Sequence, residues 1–449
     1  MADILIEDYY QLADYFQAGC KPISEWKVGT EHEKFGFIKE SQKPISYYGD
    51  QGILKILNGL VGLGWNPKYE NNNIIALSLG KQSITLEPGG QLELSGAPLG
   101  SIHETCVEVN SHLSQLRSVS EKIGVGFIGI GFHPVLKLDE VPLMPKSRYK
   151  IMKNYMPKKG FHGLDMMFRT CTVQTNLDYS SEIDMVKKLR VSLALQPLST
   201  ALFANSPFLE GRLSGYKSLR SYVWMHTDQD RCGMLPFVFE EGMGFESYVN
   251  YALDVPMYFV IRDGNFINAE GQTFRDFMKG SLKCLPNEMP LISDWENHLS
   301  TLFPEVRLKK FLEMRGADAG NWSSLCANPA FWVGLLYDEN CLNEAYELIS
   351  DFSINEILSM RENVPTHGLK TKIKSKLTMN DLAEKVLKIS KKGLKNRKIF
   401  DSSGNDESIF LEVIIQRQKE CNSPADKLIE LFNSEWSESI GKIFEENMA

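Results

Sequence analysis

Between residues 27 and 38 the chain reads KVGTEHEKFGFI, with Glu31 and Glu33 two positions apart. V-G-T at the front and F-G-F-I at the back favour an extended run bounded by glycines. Alternate side chains of a strand share a face, so Glu31 and Glu33 point the same way, with Phe35 and Phe37 following. The two carboxylates then lie about 7 Å apart and repel each other unless something positive sits between them. A hard divalent cation is the usual remedy, and carboxylate oxygens are what Mg²⁺ takes. A solvated edge strand with its acids in water is the plainer reading. The aromatic residues that seek burial on the same face weigh against it.

The pattern recurs. In residues 82–96, QSITLEPGGQLELSG, Pro88-Gly89-Gly90 breaks two alternating runs. Glu87 sits with Thr85 on the polar face of one arm. Glu93 sits with Gln91 and Ser95 on the polar face of the other, opposite Leu92 and Leu94. In residues 168–178, FRTCTVQTNLD, the residues Thr170, Thr172, Gln174, Asn176 and Asp178 share one face, and Cys171, Val173 and Leu177 the other. Residues 306–316, VRLKKFLEMRG, suit helix or strand; as a strand, Glu313 and Arg315 share a face. Glu31, Glu33, Glu87, Glu93 and Glu313 can thus gather round more than one Mg²⁺. Arginines in irregular stretches, Arg212 and Arg220 among them, suit anionic substrates, because a guanidinium grips a carboxylate or phosphate with two bonds. Metal-bound phosphates beside such arginines point to phosphoryl transfer from ATP. Any one of these residues alone reads as a solvated surface group. Recurrence on several strands is what makes a site of them.

Composition removes the other classes. The 449 residues are 43% hydrophobic and 24% charged, enough for a large core, and the length allows two or three domains. A formal net charge of -8 argues against a nucleic-acid surface. The basic run MPKSRYKIMKNYMPKKG at 144–160 reads as a local anion site. No apolar run reaches the length of a membrane span. His32, His103, His112 and His133 form no H-x-x-x-H pair, so zinc hydrolysis is poorly supported. The G-x-G-x-x-G at Gly124 follows a helix and runs on as a strand, the wrong context for a dinucleotide loop. Eight cysteines without a C-x-x-C pair fit reduced thiols in a cytosolic protein, and the acidic, aromatic start lacks the features of a secretion signal. For that reason the glycosylation pattern at Asn321 carries no weight.

Helices are expected over 8–18, 50–63, 101–122 and 182–203, the last opened by Ser181 and Asp184 in a capping-box-like start. A strand over 255–261 leads into an Asp263-Gly264 hairpin turn. From about 331 the pattern is helical, with one helix opening at Asn380 and another capped by Ser423 with Pro424 at its first position. Without linkers or repeats, residues 1–449 read as a single catalytic domain, and 331–449 as its mainly helical C-terminal section.

GTEHEKFGF, SITLEPGGQLELSGAPL, ETCVEVNSHL, MPKSRYKIMKNYMPK, LDMMFRTCTVQTNLD, LALQPLSTALFANSPF, ALDVPMYFV and EVRLKKFLEMRGADAG together resemble glutamate–cysteine ligase of the plant and proteobacterial type, over nearly the whole chain. The resemblance implies an α+β, glutamine-synthetase-like fold in which a curved, mainly antiparallel sheet floors a funnel and helices pack outside. It implies that L-glutamate, L-cysteine and ATP give γ-glutamylcysteine, ADP and phosphate through a γ-glutamyl phosphate, the first step of glutathione synthesis. Glu31, Glu33, Glu87 and Glu93 match the family's acidic strands as Mg²⁺ ligands. Glu313 resembles the last metal glutamate, and Arg315 the arginine facing the ATP phosphates. Arg148 and Arg220 match arginines of the substrate pocket, one of which would grip the glutamate α-carboxylate. Gln174 and Asn176 match its polar floor.

Plant members of the family also carry a redox disulfide. One partner survives here as Cys284, but the other position is Ala269. With no plastid-targeting extension before Gly29, a cytoplasmic enzyme is expected. It should act on small molecules alone, without nucleic acid or membrane, as a monomer or weak homodimer. Two rivals remain: a ligase of the same superfamily that uses another amine, and a non-catalytic body on the same scaffold. The second predicts loss of an acidic strand position, and none is lost.

Overall fold

Residues Val28–Ile38 form strand β1, the longest of the sheet, and every other part of the site is built beside it. The computed structural model describes residues 3–374 and 377–446. Four strands follow β1: β2 (Asn66–Glu70), β3 (Asn73–Leu79), β4 (Gln82–Leu86) and β5 (Leu92–Ser95). Then come β6 (Val125–Ile128) and β7 (Thr172–Leu177), and finally the strands Val306–Leu308 and Leu312–Asp318. Together they make one nine-stranded antiparallel sheet. The two late strands lie at one edge, followed in order by β7, β1, β5, β4, β3 and β2, while β6 pairs with the far half of β1. The segment 306–316, open between helix and strand in sequence, is therefore strand. The α+β expectation holds.

The register explains why the polar residues converge. Directly opposed residues of antiparallel strands share a face. Glu33 is opposite Glu93, and Glu93 is opposite Thr85. Glu31 is opposite Gln174, and Glu313 opposite both Asn176 and Arg307. One sheet face thus collects polar groups from six strands.

Helices surround the sheet. The first are α1 (Tyr10–Gln17), α2 (Ile53–Val61) and α3 (Ile102–Ser120), the last capped where Ser101 Oγ accepts from the amide of Glu104. Next come α4 (Ser147–Tyr155), α5 (Gly163–Arg169), α6 (Glu182–Phe203) and α7 (Leu219–Met225); α2, α3 and α6 pack on strands of the sheet, while α4 and α7 carry charged side chains toward its polar face. Ser181 caps α6, as its spacing to Asp184 predicts. From Val191 to Phe203 helix α6 is buried on every side, as an apolar-all-round stretch must be, while its first turns keep an exposed face. The helix Trp322–Leu336 lies beside it against the sheet. Asn321, the acceptor of the glycosylation pattern, instead caps this helix by accepting from the amide of Ser324.

Four readings shift. Phe168 and Arg169 end α5 instead of starting β7, because the chain turns down into the sheet only at Thr172. Helix α2 begins at Ile53, where the first buried apolar residue falls. Helical structure is already set at Trp322, earlier than 331. The helix expected to open at Asn380 spans Met379–Arg397 with Thr378 as its cap, its hydroxyl accepting from the amide of Asp381. Asp263 and Gly264 both have positive φ, 51° and 77°, the combination a two-residue hairpin needs.

Candidate active site

The acids lie on the β1–β5–β4 part of the polar face. The Glu33 carboxylate accepts from the Thr172 amide (2.9 Å), and Glu93 from the Thr85 hydroxyl (2.7 Å). Burial raises the pKa of both, and neighbouring carboxylates push it further: Glu93 and Glu87 act on Glu33, and Glu87 acts on Glu93. Glu87 stands just past β4, where the Pro88-Gly89-Gly90 turn starts. Its own amide donates to the Gln91 carbonyl (2.9 Å), and Gly90 takes the positive φ (86°) that closes the turn. Glu31 is pushed up to about 7 by burial, then by Glu313 and Glu93, against the opposing pull of Lys309 and the Asn176 amide (2.8 Å).

Helix α4 brings positive charge to this end. Lys146, just before it, is buried and donates to the Leu86 carbonyl (2.7 Å), which also receives the Tyr149 hydroxyl (2.5 Å). Burial lowers Lys146 to about 8 despite nearby Glu87, Glu93 and Glu70. Arg148 lies over the Tyr149 ring, 5.1 Å from its centroid, and its buried Nε has no hydrogen-bond partner. Burial opposes its charge, and Tyr149, Glu87 and Glu93 more than offset that.

The cationic end is built differently. Glu313 is fully buried and bound by three cations: Arg307 (2.7 Å), Lys309 (2.9 Å) and Arg315. Burial alone would raise its pKa; these three cations hold it well below the carboxylate range. The expected metal role of Glu313 does not match this arrangement, because its oxygens are already occupied by cations.

Arg315 also bonds the Gln174 side chain, and it stands at the register shift between Met314 and Ala317. Bulges at sheet edges re-aim groups in this way. The carbonyl of Arg315 turns to accept from Arg220 Nη2 (2.9 Å) and the Thr172 hydroxyl (3.2 Å). A Cβ on Gly316 would lie 2.2 Å from Gln196 Oε1 of α6, so a larger residue there would have to displace that side-chain amide.

The residues expected from sequence therefore lie on or beside this one face, except Arg212, which is exposed on a separate hairpin of Phe208–Leu209 with Arg212–Leu213. Several others were not foreseen. Arg307 and Lys309 sit within the EVRLKKF motif, where an alternating reading could have found them. Asp318 holds the region of Arg220, accepting from the hydroxyls of Ser218 (2.8 Å) and Ser206 (2.6 Å) and from the Asn205 amide (2.8 Å). Trp224 of α7 lines a narrow cleft with Arg220, Phe303, Glu305, Arg315 and Arg361, and its buried indole N–H has no acceptor. Arg361, from the helix Ile354–His367, donates to Glu305 (2.6 Å) and to the Ser221 hydroxyl (2.8 Å). No local pattern marks Trp224 or Arg361.

Among the described residues, no three His, Cys, Asp or Glu side chains stand close enough together to enclose a metal ion. The eight cysteines are unpaired. Ala269 is buried, and Cys284 meets only the Gln272 amide (3.8 Å).

The sequence matches the glutamate–cysteine ligase family 2 (GCS2) over residues 27–446. It is 53% identical to the chloroplastic glutamate–cysteine ligase of Medicago truncatula over 436 residues, covering 97% of this chain and 84% of that one. To the chloroplastic glutamate–cysteine ligase B of Oryza sativa subsp. japonica it is 55% identical, covering 97% and 86%. To the chloroplastic enzyme of Arabidopsis thaliana it is 53% identical, covering 97% and 82%. The crystal structure of a Francisella tularensis glutamate–cysteine ligase in complex with AMP shares the fold, with a TM-score of 0.55 at 14% identity, covering 94% of this chain and 87% of that one. The cytoplasmic expectation is corrected by these relatives, each of which is named as chloroplastic.

Proposed function

The chain belongs to glutamate–cysteine ligase family 2, and from that membership we propose how its polar sheet face works. It is an ATP-dependent ligase of L-glutamate and L-cysteine, the first step of glutathione synthesis; identity above 50% across 97% of the chain carries this.

The acidic end fits Mg²⁺. Glu33, Glu87 and Glu93 offer hard oxygen donors whose mutual repulsion nothing nearby cancels in full. Mg²⁺ commonly takes one or two carboxylates and completes its shell with water and substrate phosphates, so a closed protein cage is not needed. Glu33, Glu87 and Glu93, with Glu31 beside them, would hold it. Bound there, Mg²⁺ would offset the repulsion between the ATP phosphates and an anionic acceptor.

The remaining work belongs to the chain. Arg315, fixed by Glu313 and Gln174, presents its charge to the transferring phosphoryl group without having to reorganise. Arg220 and Arg148 bind substrate carboxylate, with Gln174 and Asn176 lining the floor. Phosphoryl transfer to the glutamate side chain gives a γ-glutamyl phosphate, and the cysteine amine displaces phosphate from it. No protein nucleophile is required. We read 1–449 as one catalytic body, with its mainly helical part from 331 onward packed on the same sheet.

The test is ADP release from the purified chain with ATP, glutamate and a panel of amines. Cysteine should exceed every other amine in kcat/KM. A different preferred amine would overturn the cysteine assignment while leaving the ligase chemistry standing.

A further inference from the structure

Away from the funnel, a crevice of about 350 Å³ opens between three helices. Its walls are the start of Trp322–Leu336 (Asn321, Ser323, Ser324), the end of Glu412–Glu420 (Arg417, Glu420), and the segment Asn422 to Lys427 that begins the helix Pro424–Asn433. Asn205 and Gly129 form its floor.

Arg417 is its principal charge. The guanidinium donates through Nη1 to the Leu202 carbonyl (3.2 Å) and through Nη2 to the Ser324 hydroxyl (2.6 Å), and it lies over the Phe203 ring. Both hydrogen-bond acceptors are neutral. They aim the guanidinium but do not neutralise it. No carboxylate among the described residues forms an ion pair with it. Withdrawal from water is the single influence on its charge, and it lowers the pKa to about 10. Several arginines of this molecule bind carboxylates directly, Arg169 with Asp165, Arg231 with Asp228, Arg307 with Glu313 and Arg361 with Glu305, whereas the half-buried Arg417, like Arg148 and Arg220, has no ion pair among the described residues. A cation removed from water without a partner is costly, and an anion entering the crevice removes that cost.

Other donors point the same way. Lys427 stands on the wall and forms no ion pair among the described residues. The Ser323 amide is in the first turn of a fifteen-residue helix, where backbone N–H groups lack intrahelical partners. Glu420 is the one carboxylate on the lining, exposed and bonded to Gln416 instead of to Arg417 or Lys427. An Arg edge, an ammonium and a backbone amide are more donors than a carboxylate's two oxygens use well. They suit an anion with three or more oxygens.

We propose that this crevice is a second anion site, separate from the catalytic funnel, that binds a small phosphate-class oxyanion on Arg417. Asn205 stands between the two: it lines the crevice, its side chain donates to the Gly129 and Ala319 carbonyls, and its backbone amide holds Asp318 next to Arg220.

Inorganic phosphate is the probe, titrated calorimetrically into the full chain carrying Arg315→Ala, which weakens phosphate binding in the funnel. One phosphate per chain should still bind. Arg417→Gln and Lys427→Glu, each added to that background, should weaken it at least tenfold, and Glu420→Gln should tighten it. Lys427→Glu alone should leave turnover unchanged. If Arg417→Gln does not fold, Lys427→Glu decides, since its side chain is exposed. Succinate should bind at least tenfold more weakly than phosphate; equal binding would overturn the phosphate class. Loss of all phosphate binding with Arg315→Ala, or affinity unmoved by both Arg417→Gln and Lys427→Glu, would overturn the site.

Discussion

Two glutamates on one sheet face should respond in opposite directions when each loses its charge. Glu313 is fully buried, and its three partners are themselves largely enclosed, with side-chain exposures of 7% for Arg307, 10% for Arg315 and 22% for Lys309. Glu313→Gln keeps the shape but leaves three cations facing one another. Breaking a buried ion pair from one side costs about 3–5 kcal/mol, and here the residual repulsion adds to that loss. Glu33 is the reverse case. It faces Glu93 directly across the ladder, about 5 Å away at Cβ. At an effective dielectric near 20, two such charges repel by about 3 kcal/mol; Arg220 and partial protonation reduce this. Glu33→Gln should therefore stabilise the metal-free protein by about 1–2 kcal/mol.

The assay is urea unfolding of both variants and wild type in mildly alkaline buffer, first with chelator and then with Mg²⁺. Wild type should gain stability from Mg²⁺, Glu33→Gln should gain less, and Glu313→Gln should gain as much as wild type from its lower baseline. The reasoning fails if Glu313→Gln is as stable as wild type, or if Mg²⁺ stabilises Glu33→Gln fully and Glu313→Gln not at all. In that case Glu313 is the metal ligand, and the ion network seen here is incidental.

Other outcomes follow from single residues. Glu31 has a folded pKa of about 7 against an ordinary 4.5, so between those values the native state holds a proton that the unfolded chain has released. Metal-free stability should fall as pH rises through that window, by at most about 3 kcal/mol before allowance for the solvent that reaches the carboxylate; Glu31→Gln should flatten the slope. Trp224→Phe removes the unpaired indole N–H from the arginine-lined cleft and should lower kcat/KM about threefold to tenfold with stability unchanged. With Ala at position 269, Cys284 has no disulfide partner there and is a free thiol, so Cys284→Ser should respond to thiol reductant as wild type does; a reductant response that vanishes in the variant would show a switch. Incubated with glutamate and ATP labelled with ¹⁸O at the β,γ-bridge but without cysteine, the enzyme should scramble label into non-bridging positions. Arg315→Ala should abolish this, and scrambling that appears only once cysteine is added would show that the amine must bind before transfer.

The strand faces were legible because period-two alternation is local. Glu31 and Glu33, Glu87 with Thr85, and Gln174 with Asn176 each announce their shared face within a few residues, and antiparallel pairing only had to bring those faces together. Helix starts were legible where a cap is chemical, as at Ser181 and Ser423. What sequence could not show is which charge meets which. Glu313 and Glu33 are alike in sequence: each is a glutamate on an alternating run within two residues of a basic one. Pairing decides their fates. Register sets Glu33 against another glutamate, whereas the same rule sets Glu313 against Arg307, and the bulge after Met314 adds Arg315. The signs of the neighbours then make one carboxylate hungry for a cation and the other already satisfied. In the proposed mechanism Arg315 meets the phosphates, and Glu313 then serves phosphoryl transfer as the anchor of Arg315. Trp224 and Arg361 were beyond reach for a related reason. They enter the site from helices about 140 residues apart in the chain, and only the packing of α7 against the helix Ile354–His367 brings them to one cleft.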